Sequence, residues 1–199
     1  MKTALRLFVM AVLLLLPAGC DWFGGEPDYL PLGIGSTWQY QMLTIRATAD
    51  STDTLYGDTV TLEIKGTAVL PDSQSALLIE NRYSGYAETT YWRETAQWFL
   101  TFEDFDDDEP DTVLALPLEE NKTWCIDDVI WGTLVGKEEV ATTAGRYKDA
   151  WKVMVVDDID DTTYFWLGPD VGRCMEKEEY TASGVTWTDI TDLLSVTIK

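Results

Sequence analysis

From Thr59 to Leu70 the chain reads TVTLEIKGTAVL, in which Val60, Leu62, Ile64, Ala68 and Leu70 alternate with Thr59, Thr61, Glu63, Lys65 and Thr67. Successive side chains of a strand point to opposite faces, so this spacing buries one face and wets the other, whereas a helix would scatter it. Trp98, Leu100 and Phe102 repeat the pattern, as do Trp151, Val153 and Val155. No 11-residue window after the N-terminal leader carries a helical period. Leu70-Pro71-Asp72-Ser73, Ser84-Gly85, Ala144-Gly145 and Ala182-Ser183-Gly184 supply short turns between the apolar runs. The expected fold is all-β: about ten to twelve strands in an antiparallel meander, forming a curved sheet, half-barrel or barrel. At 199 residues, with 46% hydrophobic content and nine tryptophans, the chain has material for one domain or two similar halves around one core.

Two halves are suggested by a repeated phrase. LPLGIGSTW at 30–38 is echoed by LPLEENKTW at 116–124, Thr61-Leu62 by Thr133-Leu134, and Glu88-Thr-Thr-Tyr91 by Asp161-Thr-Thr-Tyr164. This predicts pseudo-repeats at 29–115 and 116–199 within a single β domain, with an extra acidic hairpin loop near Ala49 to Asp58 in the first copy. Trp38 and Trp124 are expected to be structural plugs, one at the start of each copy. Chance likeness between short strand motifs is the alternative.

The leader is read separately from the fold. Lys2 and Arg6 precede an unbroken apolar stretch from Leu7 to Leu16. Ten helical residues cover about 15 Å, half a bilayer core, so the segment reads as a signal sequence. Its ending, Ala18-Gly19-Cys20, resembles a bacterial lipoprotein signal, although Pro17 stands where that pattern usually has Leu. The resemblance implies removal of residues 1–19, acylation of Cys20 and a short lipidated tether at 20–28, with the membrane as a partner through that lipid. Ordinary cleavage after Cys20 is the alternative.

The net charge of −21 becomes −23 once Lys2 and Arg6 leave with the signal. Such a surface repels phosphate backbones, so no nucleic-acid partner is expected. With Cys20 acylated, Cys125 and Cys174 form an even pair and are expected to make a disulfide in an oxidising compartment. Two buried free thiols are the other reading.

YLPLGIGSTWQY, AGRYKDAWKV and YFWLGPDVGRCMEKE together resemble the landmarks of uncharacterised bacterial envelope lipoproteins that open with Tyr-x-Pro-Leu-x-x-Gly-x-x-Trp-x-Tyr. Tyr29, Pro31, Leu32, Gly35, Trp38 and Tyr40 fit the opening, and Pro169, Val171 and Gly172 fit the closing segment. The resemblance spans residues 29 to about 180. It implies a β half-barrel in the style of lipoprotein carriers and no known activity.

Little in the chain carries chemistry. It has no histidine, which removes histidine-based nucleophile systems and imidazole metal sites. No catalytic residue, cofactor or metal site is expected. Asp104, Asp106 and Asp108 alternate as calcium ligands do, but Glu109 and Ala115 stand where such a loop needs Gly and Glu, and solvated turn residues are the simpler account. Trp38, Trp92, Trp98, Trp124, Trp131, Trp151, Trp166 and Trp187 either fill the core or line an apolar groove; Trp92 and Trp166 stand on the parity opposite Tyr91 and Phe165, so at least one aromatic per repeat is expected to leave the main core face. The function read from the sequence is a non-catalytic, membrane-anchored protein of the bacterial cell envelope that binds a hydrophobic or acyl ligand on a concave sheet. The alternative is an assembly protein that engages a partner chain through a sheet edge.

Overall fold

The computed structural model describes residues 26–157 and 162–199. The signal sequence, Cys20, most of the tether and part of the second acidic run lie outside the described residues. The first six strands are β1 (Thr37–Ala47), β2 (Thr52–Val69), β3 (Ser75–Arg82), β4 (Ala87–Glu94), β5 (Trp98–Phe102) and β6 (Asp111–Ala115). The second six are β7 (Thr123–Asp127), β8 (Ile130–Thr142), β9 (Gly145–Val156), β10 (Thr162–Gly168), β11 (Gly172–Ala182) and β12 (Val185–Thr197).

All twelve belong to one antiparallel sheet ordered 6-5-4-3-2-1-12-11-10-9-8-7. The expected meander is therefore the observed fold, with one long-range pairing. β1 pairs with β12 along its whole length, from Thr37 opposite Thr197 to Ala47 opposite Thr186. That pairing curls the sheet into a nearly closed barrel and leaves β6 and β7 as its two edges. Among the described residues no ladder joins these edges, and Trp124 bridges them by donating its indole N–H to the Thr112 carbonyl at 2.9 Å.

Turn chemistry sets the registers. Ser183 and Gly184, at φ 54° and 76°, form the two-residue connection between β11 and β12, where left-handed backbone matches strand twist. At the β2–β3 turn Asp72 accepts the Gln74 N–H at 2.9 Å and grips the Arg93 guanidinium at 2.7 and 3.1 Å. The stretch expected to be an acidic loop is mostly strand, since Thr52 to Asp58 pairs with Met42 to Ala47. Its alternating Thr and Asp residues remain compatible with a two-stranded ribbon exposed to water, so the insertion lengthens the hairpin rather than looping it out.

The matched phrases fall six strands apart. Thr61-Leu62 lies on β2 and Thr133-Leu134 on β8, while Thr89-Thr90-Tyr91 lies on β4 and Thr162-Thr163-Tyr164 on β10. Trp38 and Trp124 are each the second residue of their strands.

Alternation divides the core. On β1 and β2, Trp38, Tyr40, Val60 and Ile64 pack inward with Ile79 of β3. On β9 and β10, Trp151, Val153, Phe165 and Leu167 pack in a neighbouring cluster with Phe99, Leu114 and Trp124. Ile64, Ile79, Leu134 and Val153 are fully buried, each stabilising the fold by roughly 1.5–3 kcal/mol over an exposed position. The intervening residues Ala150, Trp166 and Cys174 are also buried. Val140 and Tyr147 of the β8–β9 hairpin pack with them. Bulges between Leu134 and Gly136 and between Glu138 and Val140 bend that hairpin. Its tip reaches β12, where the Ala144 N–H donates to the Leu193 carbonyl at 2.8 Å.

One expectation is corrected here, and the two tryptophans in question are placed. Cys125 and Cys174 are both free thiols, the first exposed and the second fully buried. They sit on β7 and β11, separated in the sheet by β8, β9 and β10, so no disulfide joins them. Trp166 does leave the inner face, but it is buried all the same, with its indole donating to Glu138 Oε1 at 2.7 Å. Trp92 does not leave that face: it packs between Trp38 and Phe99, with ring centroids 6.4 and 5.6 Å away.

Candidate functional site

The segment leading into β1 is strapped across the barrel. Asp28 and Asp170 exchange hydrogen bonds, the Asp28 N–H donating to Asp170 Oδ1 at 2.9 Å and the Asp170 N–H to the Asp28 carbonyl at 2.7 Å. The Tyr29 hydroxyl donates to the Asp149 carbonyl at 3.0 Å, and Lys137 Nζ sits over the Tyr29 and Trp151 rings at 5.0 and 4.9 Å. Beyond this clamp the strap turns inward. Gly33 then passes so close to the chain terminus that a Cβ would stand 2.1 Å from the Lys199 carbonyl oxygen. A side chain at that point would force the terminus away.

Under the strap lies a cavity of about 240 Å³, lined by Leu30, Pro31 and Leu32 above and by inward residues of β1, β4, β5, β6, β10 and β11. Its walls are aromatic: Trp38, Tyr40, Trp92, Phe99 and Phe165. Two of these rings are held by main-chain carbonyls of β11 and the turn before it. The Trp38 indole donates to the Val171 carbonyl at 2.6 Å, and the Tyr40 hydroxyl to the Arg173 carbonyl at 2.8 Å. Burial pushes the Tyr40 phenol far above its ordinary range, so it stays a neutral donor. Gly172, at φ 75°, lets the backbone turn where a Cβ would meet Pro31 at 3.4 Å.

Among the described residues, one charged side chain lines this space. A bulge between Trp166 and Leu167 on the β10–β11 ladder sets Leu167 opposite Arg173 and Phe165 opposite Glu176. Arg173 therefore joins Phe165 and Leu167 at the cavity, its guanidinium 5.3 Å from the Phe165 ring centre and in contact with the Glu176 carboxylate.

The expected site residues are distributed unevenly about the cavity. Trp38 and Trp124 are both 3% exposed and both donate to main-chain carbonyls. Trp38 lines the cavity, whereas Trp124 lies at the β6–β7 seam, because β1 has neighbours on both sides and β7 is an edge. Trp151 is buried beside the strap, Trp98 and Trp131 face solvent, and Trp187 stacks on Tyr180 at 6.4 Å. The acidic run from Glu103 to Pro110 forms the loop between β5 and β6, and Asp111 opens β6. There the Asp107 carboxylate accepts the Glu103 and Glu109 N–H groups at 3.2 and 3.0 Å. Among the described residues no group of three or more acidic or cysteine side chains is placed to hold a metal ion. Arg173, Phe99 and Phe165 were not singled out by the sequence. The bulge that admits Arg173 leaves no signature in a pattern of alternation.

No family model and no curated protein sequence matches the chain. Among solved structures it is similar to an exported-class protein with a YmcC-like fold from Bacteroides fragilis, with 11% identity, a TM-score of 0.50, and coverage of 86% of this chain and 98% of that one. The similarity establishes a shared fold. A lipoprotein-class structure from Parabacteroides distasonis aligns over 87% of this chain and all of its own length, at 12% identity and a TM-score of 0.39.

Proposed function

We propose that this is a non-catalytic, lipid-anchored protein of the bacterial envelope whose barrel holds the apolar part of an amphiphile. The observation that carries the reading is the cavity of about 240 Å³, walled by five aromatic rings and roofed by Leu30, Pro31 and Leu32. Ligand sites are concave and mostly apolar with a few placed polar groups, which describes this space. Its size lies just below the range of about 300–1,000 Å³ typical of drug-sized ligands, so it suits one chain rather than two. The anchor is supported by Ala18-Gly19-Cys20 after its apolar run, and the fold shared with the Bacteroides fragilis protein is in keeping with export.

The edge-pairing alternative is supported less well. Both edges are five-residue strands, and each carries a charge, Asp111 on β6 and Asp127 on β7. Short charged edges discourage strand addition. The decisive experiment is native mass spectrometry of protein purified from its own membranes. An acylated N-terminus at Cys20 together with a bound single-chain adduct is expected. Release of Cys20→Ser protein into the soluble fraction should accompany it. Repeated recovery without any adduct would refute the binding role, and unchanged partitioning of Cys20→Ser would refute the anchor.

A further inference from the structure

We infer that the cavity selects amphiphiles with one acyl chain and an anionic head, and that Arg173 receives the head. This rests on the apolar-ligand reading above and adds the chemistry of the other end of the ligand. Among the described residues that line this mostly aromatic and aliphatic space, Arg173 is the only charged one. Its charge is opposite to that of the chain as a whole, which carries −21. A cation in that position has to be placed against the general trend of the surface, and the β10–β11 bulge is the device that places it.

The side chain is neither sealed nor free in bulk water. It keeps 46% of its surface open, while the surrounding protein strips enough water to lower its pKa. Part of that open surface faces the cavity, and the rest faces solvent. A guanidinium has five N–H groups in a planar fork suited to paired oxygens. The Glu176 carboxylate engages Nη2, so an anion already completes part of the fork, and a ligand head either joins it or replaces it. The Phe165 ring stands within cation–π reach of the guanidinium, 5.3 Å from its carbon to the ring centre. The head chemistry shared by a free fatty acid and a lipid phosphate is a compact group of anionic oxygens, and either satisfies this site.

The test is tryptophan fluorescence of the intact mature protein, since Trp38 and Trp92 line the cavity. It is titrated with dodecanol, dodecanoate and dodecyl phosphate below their aggregation concentrations, in wild type and in Arg173→Met. Charge-assisted hydrogen bonds predict that wild type binds at least one of the anionic ligands about tenfold or more tightly than dodecanol. Arg173→Met should abolish that preference while still binding dodecanol. Preference for dodecanoate over dodecyl phosphate points to free acids, and the reverse to phosphate heads. Equal affinity for all three ligands in wild type, or a preference that survives in Arg173→Met, overturns the role of Arg173 but leaves the apolar cavity standing. Failure of wild type to bind any of the three overturns both. Equal binding of dodecanol by the two proteins certifies that the variant is folded.

Discussion

Trp124 should hold the barrel shut, and the glycine beneath it offers a test that a simple truncation cannot. The indole is 3% exposed, and its N–H donates at 2.9 Å to the Thr112 carbonyl on the edge of β6. On β8, Gly132 pairs with Trp124, and a Cβ added there would stand 2.3 Å from two of the ring carbons. Trp124→Ala removes a buried ring and strands a carbonyl, which together should cost about 3–5 kcal/mol. In a chain of this size that lowers the melting temperature by roughly 6–20 °C. Gly132→Ala keeps the ring but drives a methyl into it, for about 1–3 kcal/mol by overpacking. The two changes share one space, so they should not add. With the indole gone, the methyl enters the void it leaves, and Gly132→Ala in the Trp124→Ala background should be neutral or stabilising. Thermal and urea unfolding of the four proteins gives the coupling directly. Equal cost for Gly132→Ala in both backgrounds would refute the packing argument, and melting of Trp124→Ala at the wild-type temperature would refute the plug.

Further outcomes follow from the charges and thiols. Mature protein with Cys20 acylated should show one reactive thiol when native, Cys125, and two when denatured without reductant, because Cys174 is buried and its thiol pushed up to about 12; a titration of the denatured protein finding none would restore the disulfide. Asp72 is held below the ordinary carboxylate range by its hydrogen bond to Arg93, so its contribution is present above the unfolded pKa and lost as pH falls through the lower folded value. Asp72→Asn should flatten the acid limb of a melting-temperature profile taken from neutral pH down past the carboxylate range; an unchanged slope would disprove this. Asp111 is pushed the other way, by partial burial and then by Asp107 and by Asp127 across the seam. Its raised folded pKa means stability is greatest when it is protonated and declines as pH rises through that value. Asp111→Asn should therefore melt higher than wild type at neutral pH, with the gap shrinking as salt is added, and a lower melting point would count against seam repulsion.

The strands and their order were legible in the alternation of residues such as Val60, Leu62 and Ile64, because period two is a local property written by neighbours in sequence. The echoed Leu-Pro-Leu…Thr-Trp phrases likewise pointed to Trp38 and Trp124, since a ring that begins a strand is buried wherever that strand packs. Alternation states which residues share a face, but not what covers the face or which distant strand lies beside it. So the fates of Trp166 and Cys174 were settled by the bent β8–β9 hairpin, and the separation of the two thiols by three intervening strands. The difference between Trp38 at the cavity and Trp124 at the seam likewise came from the β1–β12 pairing, which joins residues about 150 positions apart. The Arg173 site depended most on tertiary structure. A single bulged residue on β11 turns that side chain toward the interior, and a one-residue slip reverses the face of everything beyond it. The sequence determined that there would be an apolar inner face; only the assembled barrel decided that a cation would look into it.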